Sequence, residues 1–115
     1  MLETRMKWEG GAVKEKARDA AARALFESAA ALLQEANKKC PHRTGYLQST
    51  GRADVDHSAP AGWVSYNTPY AVRLHEHPEY RFGENREGKW LERAMERMRQ
   101  RLVEHIKRRL DGELR

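Results

Sequence analysis

The sequence predicts an α+β domain in which two long helices flank a small antiparallel sheet. Three observations carry this. Apolar residues recur at helical spacing from about Ala12 to Lys38 and again from about Lys89 to Leu110. The stretch between them holds all four prolines, Pro41, Pro60, Pro69 and Pro78. Short runs rich in aromatic and β-branched residues lie between those breaks. The expected layout is a long N-terminal helix, a small antiparallel sheet, and a long basic C-terminal helix packed on the sheet.

Taken in order, residues 1–11 read as a short arm ending at Gly10-Gly11. Residues 12–39 read as a helix. Arg18, Ala22, Leu25, Ala29, Leu32, Leu33 and Ala36 share one face. Most are alanines, so another backbone can approach closely, and alanine has the best intrinsic helix propensity. Lys38 and Lys39 suit the negative end of the helix dipole, and Pro41 stops the helix. Thr44-Gly45 then reads as a tight connection into residues 41–87, the region of sheet and loops.

Arg52 to His57 alternates, with Ala53 and Val55 on one side and Asp54 and Asp56 on the other. Gly62-Trp63-Val64-Ser65-Tyr66-Asn67 is the expected partner strand, with 58–62 as the loop between them. Tyr70 to His75 fits a helical turn or a strand, and Tyr80-Arg81-Phe82 a further short strand. Residues 88–112 form the last helix. Leu91, Ala94, Met95, Met98, Leu102, His105, Ile106 and Leu110 make its apolar stripe, with Gly112 as a C-terminal cap.

A chain of 115 residues is one domain with a single modest core. Charged residues make up 34% and the mean hydropathy is −0.94. The regular apolar spacing argues for folding all the same, and a thin core suits a protomer stabilised by neighbours. The net charge of +5 is uneven. Residues 89–115 hold nine Lys/Arg against five Asp/Glu, an excess of four, which leaves one for the remaining 88 residues. A basic helix of this kind can meet phosphate, an acidic protein surface or a membrane surface. No apolar run approaches the roughly 20 residues that span a bilayer, and residues 1–8 lack the apolar stretch of a secretion signal. The single cysteine, Cys40, excludes an intrachain disulfide and fits a reducing compartment.

His75-Glu76-His77 is the most site-like phrase. On a strand, both imidazoles would share a face, as zinc ligands do. His42, His57 and Cys40 supply no recognised third and fourth ligand, so the expectation is polar contacts in a turn ending at Pro78, with no metal and no cofactor. Cys40 precedes a proline and no serine sits in a nucleophile elbow, so no catalytic residue is assigned. Arg93, Arg97, Arg101 and Arg108 recur at spacings of four and seven and offer a face to DNA or an acidic partner. Glu92, Glu96 and Glu104 interleave with them and dilute that field. Trp63 and Trp90 are expected in the core. Tyr70 is left open between core and interface, and Trp8, alone in a polar arm, calls for a pocket on a neighbour.

Together the phrases Thr44-Gly45-Tyr46-Leu47-Gln48-Ser49, Pro69-Tyr70-Ala71, His75-Glu76 and Trp90-Leu91-Glu92-Arg93-Ala94 resemble the tail-completion, or neck, proteins of long-tailed bacteriophages. These are also described as head–tail joining or minor capsid proteins. The resemblance covers roughly residues 8–95 and lies in the order of the phrases. It implies a non-enzymatic virion protein that forms a homo-oligomeric ring of six or twelve copies at the head–tail junction, after assembly in the host cytoplasm. Implied partners are a portal-adaptor or head-closure protein and a tail terminator or tail tube protein. Non-specific contact with packaged DNA is a further expectation, and a membrane is not. Within that picture Trp8, Leu25, Leu32 and Tyr70 are the expected neighbour contacts. Arg93, Arg97, Arg101 and Arg108 would face DNA or an acidic ring. A basic nucleic-acid-binding module working through the C-terminal helix is the alternative.

Overall fold

The computed structural model describes residues 2–7, 15–41, 46–58, 60–68, 71–77 and 86–114. Its elements are β1 (Leu2–Lys7), α1 (Glu15–Lys39), α2 (Tyr46–Ser49), β2 (Gly51–Asp56), β3 (Ala61–Tyr66), α3 (Ala71–Glu76) and α4 (Trp90–Leu114). The fold is α+β, with a three-stranded antiparallel sheet of order β1-β3-β2 and the two long helices packed on it. The molecule is elongated, 49 × 23 × 20 Å. Trp8, Thr44-Gly45, Tyr70 and Tyr80-Arg81-Phe82 lie outside the described residues.

The first correction concerns the arm. Residues 2–7 form an edge strand paired with β3 along its length, from Leu2 opposite Tyr66 to Lys7 opposite Ala61. The physical reason is period-two patterning. Leu2, Thr4 and Met6 are half-buried, and Glu3, Arg5 and Lys7 are exposed. β2 pairs with the other side of β3, Gly51 opposite Tyr66 and Asp56 opposite Ala61, and its Ala53/Val55 and Asp54/Asp56 alternation is as expected. The hairpin turn between them is held by Asp56, whose Oδ1 accepts the Ser58 N–H at 2.9 Å and the Ser58 hydroxyl at 2.8 Å.

α1 lies on the inner face of the sheet and against α4, with Ala21, Ala22, Ala24, Ala29, Leu32 and Ala36 essentially inaccessible. Arg18, placed on that face by spacing, is exposed, and Leu33 is only half-buried. The alanines let β3 come close. A Cβ on Gly62 would stand 2.8 Å from the Leu25 carbonyl oxygen, so only glycine fits where strand meets helix. α4 buries Trp90, Leu91, Ala94, Met98 and Leu102, and Met95, His105, Ile106 and Leu110 are half-buried. The helix runs through Gly112 to Leu114, so Gly112 is not its cap. Residues 71–76 resolve the open choice as a helix, α3.

Candidate functional site

The middle of the chain builds two clasps, one at each facing end of the long helices. The first holds the N-terminus of α4. Lys89 adopts a left-handed φ of 52°, and its carbonyl accepts the first helical bond, from Arg93, at 2.9 Å. A lysine has no short side-chain oxygen to cap the next free N–H groups. His75 of α3 does so from across the fold. Its Nε2 accepts the Glu92 N–H at 3.3 Å, and its carbonyl accepts the Lys89 N–H at 2.8 Å.

An acceptor Nε2 places the proton of the neutral ring on Nδ1, which donates to Glu76 Oε1 at 3.2 Å. His75 is 4% exposed and its ring meets Trp90 edge-to-face at 5.0 Å, and Trp90 meets Tyr66 the same way at 5.7 Å. Burial lowers the His75 pKa, and the bond to Glu76 only partly opposes this. Glu76 is held below the usual carboxylate range by His75 and by Lys89, whose Nζ lies 3.2 Å from Oε2. The His75-Glu76-His77 phrase is therefore a helix cap in a helical turn, and its strand-based metal geometry does not form. Among the described residues no three His, Cys, Asp or Glu side chains converge on a point where a metal could sit.

The second clasp holds the C-terminus of α1, where the last carbonyls lack helical partners. One Arg86 nitrogen, Nη1, reaches the carbonyls of Asn37 and Lys38 at 3.0 Å each and of Cys40 at 3.3 Å. The Gln48 amide donates to the Asn37 carbonyl at 3.1 Å, and the Glu87 N–H to the Lys39 carbonyl at 2.8 Å. The Tyr66 hydroxyl donates to Asn37 Oδ1 at 2.7 Å, and burial pushes its pKa up. Cys40 is fully buried here, its thiol pushed up to about 11 by desolvation, so it is a packing group and not a thiolate. Nothing in the sequence pattern singled out Asn37 or Arg86, because their role depends on segments about 50 residues apart.

The structure divides the four arginines of the C-terminal helix. Arg93 pairs with Glu87 at 3.1 Å. Arg97 bridges Glu35 at 3.3 Å and Glu87 at 3.4 Å. These two tie α4 to α1 and to the segment before α4. Arg101 and Arg108 are exposed, with no ion pair or hydrogen bond among the described residues. Two of the expected neighbour contacts are corrected. Leu25 and Leu32 are 2% and 0% exposed within the protomer's own interior, because α1 turns that face to the sheet and α4, and they present nothing to a second chain. Trp8 and Tyr70 fall outside the described residues. No protein-family profile, curated protein or solved structure matches the chain. Among the described residues no helix is long and apolar enough to cross a membrane.

Proposed function

We propose that this protein is a structural component of the phage neck. It would form a ring that completes the tail or joins it to the DNA-filled head, next to a portal-adaptor or head-closure protein and a tail terminator or tail tube protein. The observation that carries the reading is the ordered set of phrases in the middle of the chain. Its support in three dimensions is that those phrases build a frame. Leu47, Ala71, Trp90, Leu91 and Ala94 belong to one buried cluster, and Gln48 and His75 tie the two helix ends. Phrases that would mean little singly are thus the parts that set one shape. A ring protomer needs such a rigid shape with two different lateral faces. Native mass spectrometry and negative-stain imaging at high concentration test this, with and without the neighbouring neck proteins. Closed rings are the expected result, and monomer under every condition overturns the reading.

A second reading, nucleic-acid binding through α4, is favoured by one observation, the exposed Arg101 and Arg108, which have no ion pair among the described residues. With Arg93 and Arg97 already neutralised by acids, few phosphates would be engaged. A contact through these two side chains alone gives a slope of log K against log salt of about −2 on duplex DNA. Arg101→Glu with Arg108→Glu would abolish that binding, and unchanged binding would exclude this face.

A further inference from the structure

We propose that copies of this chain join side by side, the free edge of β1 in one protomer pairing with the free edge of β2 in the next, parallel and in register. The proposal deepens the ring reading and rests on it for the expectation that copies associate. Among the described residues no strand covers either edge, since β3 lies between β1 and β2 and pairs with both. Both edges run antiparallel to β3 and therefore parallel to each other, so a sheet continued from β1 onto a neighbour's β2 keeps a single direction.

The outward residues of the two edges are matched in charge. β1 presents Glu3, Arg5 and Lys7, and β2 presents Arg52, Asp54 and Asp56. The shared pairing with β3 puts Glu3 level with Arg52, Arg5 with Asp54 and Lys7 with Asp56. In-register parallel pairing thus sets opposite charges together at all three positions. Antiparallel pairing of β1 with β2 gives one opposite pair and two like pairs. Antiparallel pairing of β1 with β1 gives two opposite pairs and sets Arg5 against Arg5, and of β2 with β2 gives two opposite pairs and sets Asp54 against Asp54, so only the parallel arrangement has no like pair. Like charges directly opposite are unfavourable, so the pattern selects the head-to-tail arrangement.

The inner face agrees independently. Met6 and Val55 stand on the same rung, each opposite Gly62, at opposite edges. Beside Met6 a groove between β1 and α4 is walled by Leu102, Val103 and Ile106. Beside Val55 an apolar groove between β2 and α1 contains Phe26. Phe26 and Val103 are two of the three large apolar side chains that stand exposed among the described residues, each at 44%. Edge pairing brings the Phe26 side of one copy against the Val103 side of the next and covers both. In the single chain Asp54 Oδ1 accepts the Val55 N–H at 2.8 Å and Arg5 lies over the Trp63 ring at 4.6 Å. Arg5 also pairs with Glu3 at 2.9 Å, so edge pairing exchanges these local contacts for contacts between copies.

The test is a charge exchange. Arg5→Glu with Lys7→Glu makes both edges acidic, and Asp54→Lys with Asp56→Lys makes both basic. Each variant alone is expected to lose association on the order of 100-fold while keeping its far-ultraviolet circular dichroism. An equimolar mixture is expected to recover it, in assemblies with even copy number. A second measurement places cysteines at Arg5 and Asp54 of one chain. Within a protomer these positions are two strand spacings apart, roughly 10 Å, too far for a disulfide, so oxidation should link neighbouring chains into ladders. Folded variants that assemble like the parent, a mixture that fails to recover, or the absence of ladders would overturn the proposal while leaving a ring possible. A parent chain that stays monomeric, alone and with its neck partners, would overturn both.

Discussion

His75 combines three roles in one small ring: acceptor for the Glu92 N–H, donor to Glu76, and packing partner for Trp90. Only the neutral ring performs the first, because imidazolium has no acceptor nitrogen. Its folded pKa lies below the ordinary 6.5, so the unfolded chain takes up the proton first as pH falls. The sign follows: the stability from this group is full above about pH 6.5 and is lost as pH drops from there toward the folded value. Denaturant unfolding at pH 7.5 and pH 5.5 should show lower stability at the acid end by up to about 1.4 kcal/mol for one proton over one pH unit. His75→Ala should remove most of that difference and cost about 2–3 kcal/mol at pH 7.5. Arg86→Ala should cost about 1.5–3 kcal/mol by removing a charged donor from the carbonyls of Asn37, Lys38 and Cys40, with frayed amide exchange confined to the end of α1. Neither role was legible from spacing. His75 was read as a turn residue with polar contacts, which holds, but its partner lies 17 residues on, where no local pattern points.

At the level of elements, the long helices were the most legible because their apolar periods repeat many times. The β2–β3 hairpin was legible within a residue, from alternation and turn residues. β1 was missed, although Leu2-Thr4-Met6 alternates with Glu3-Arg5-Lys7. Six residues of alternation carry little weight until a partner edge exists, and that edge, β3, lies about 60 residues away. The close approach of β3 to the α1 backbone yields a sharp prediction. Gly62→Ala drives a methyl into the Leu25 carbonyl and should destabilise by about 1–3 kcal/mol in thermal or denaturant unfolding. Gly112→Ala, in an exposed helical position with open space around it, should instead be neutral or stabilise by up to about 1 kcal/mol.

For the molecule as a whole, the thin core and the two sheet edges left uncovered among the described residues point the same way: if copies join as proposed, association adds to the stability of a modestly stable protomer. Melting followed by calorimetry should shift upward by roughly 5 °C over a hundredfold rise in protein concentration, and Arg5→Glu with Lys7→Glu should flatten that dependence. The sequence by itself determined the layer plan, because helical and strand periods are local properties that survive without a partner. It also determined the unequal charge and the burial of Trp90, whereas Trp63, expected in the core beside it, is only half-buried, on the sheet face where Arg5 lies over its ring. Only the tertiary structure decided which faces stay exposed. Burial is a property of the whole packing: it took Leu25 and Leu32 into the interior, paired Arg93 and Arg97 with acids, and turned an apparent N-terminal arm into the sheet edge that faces outward.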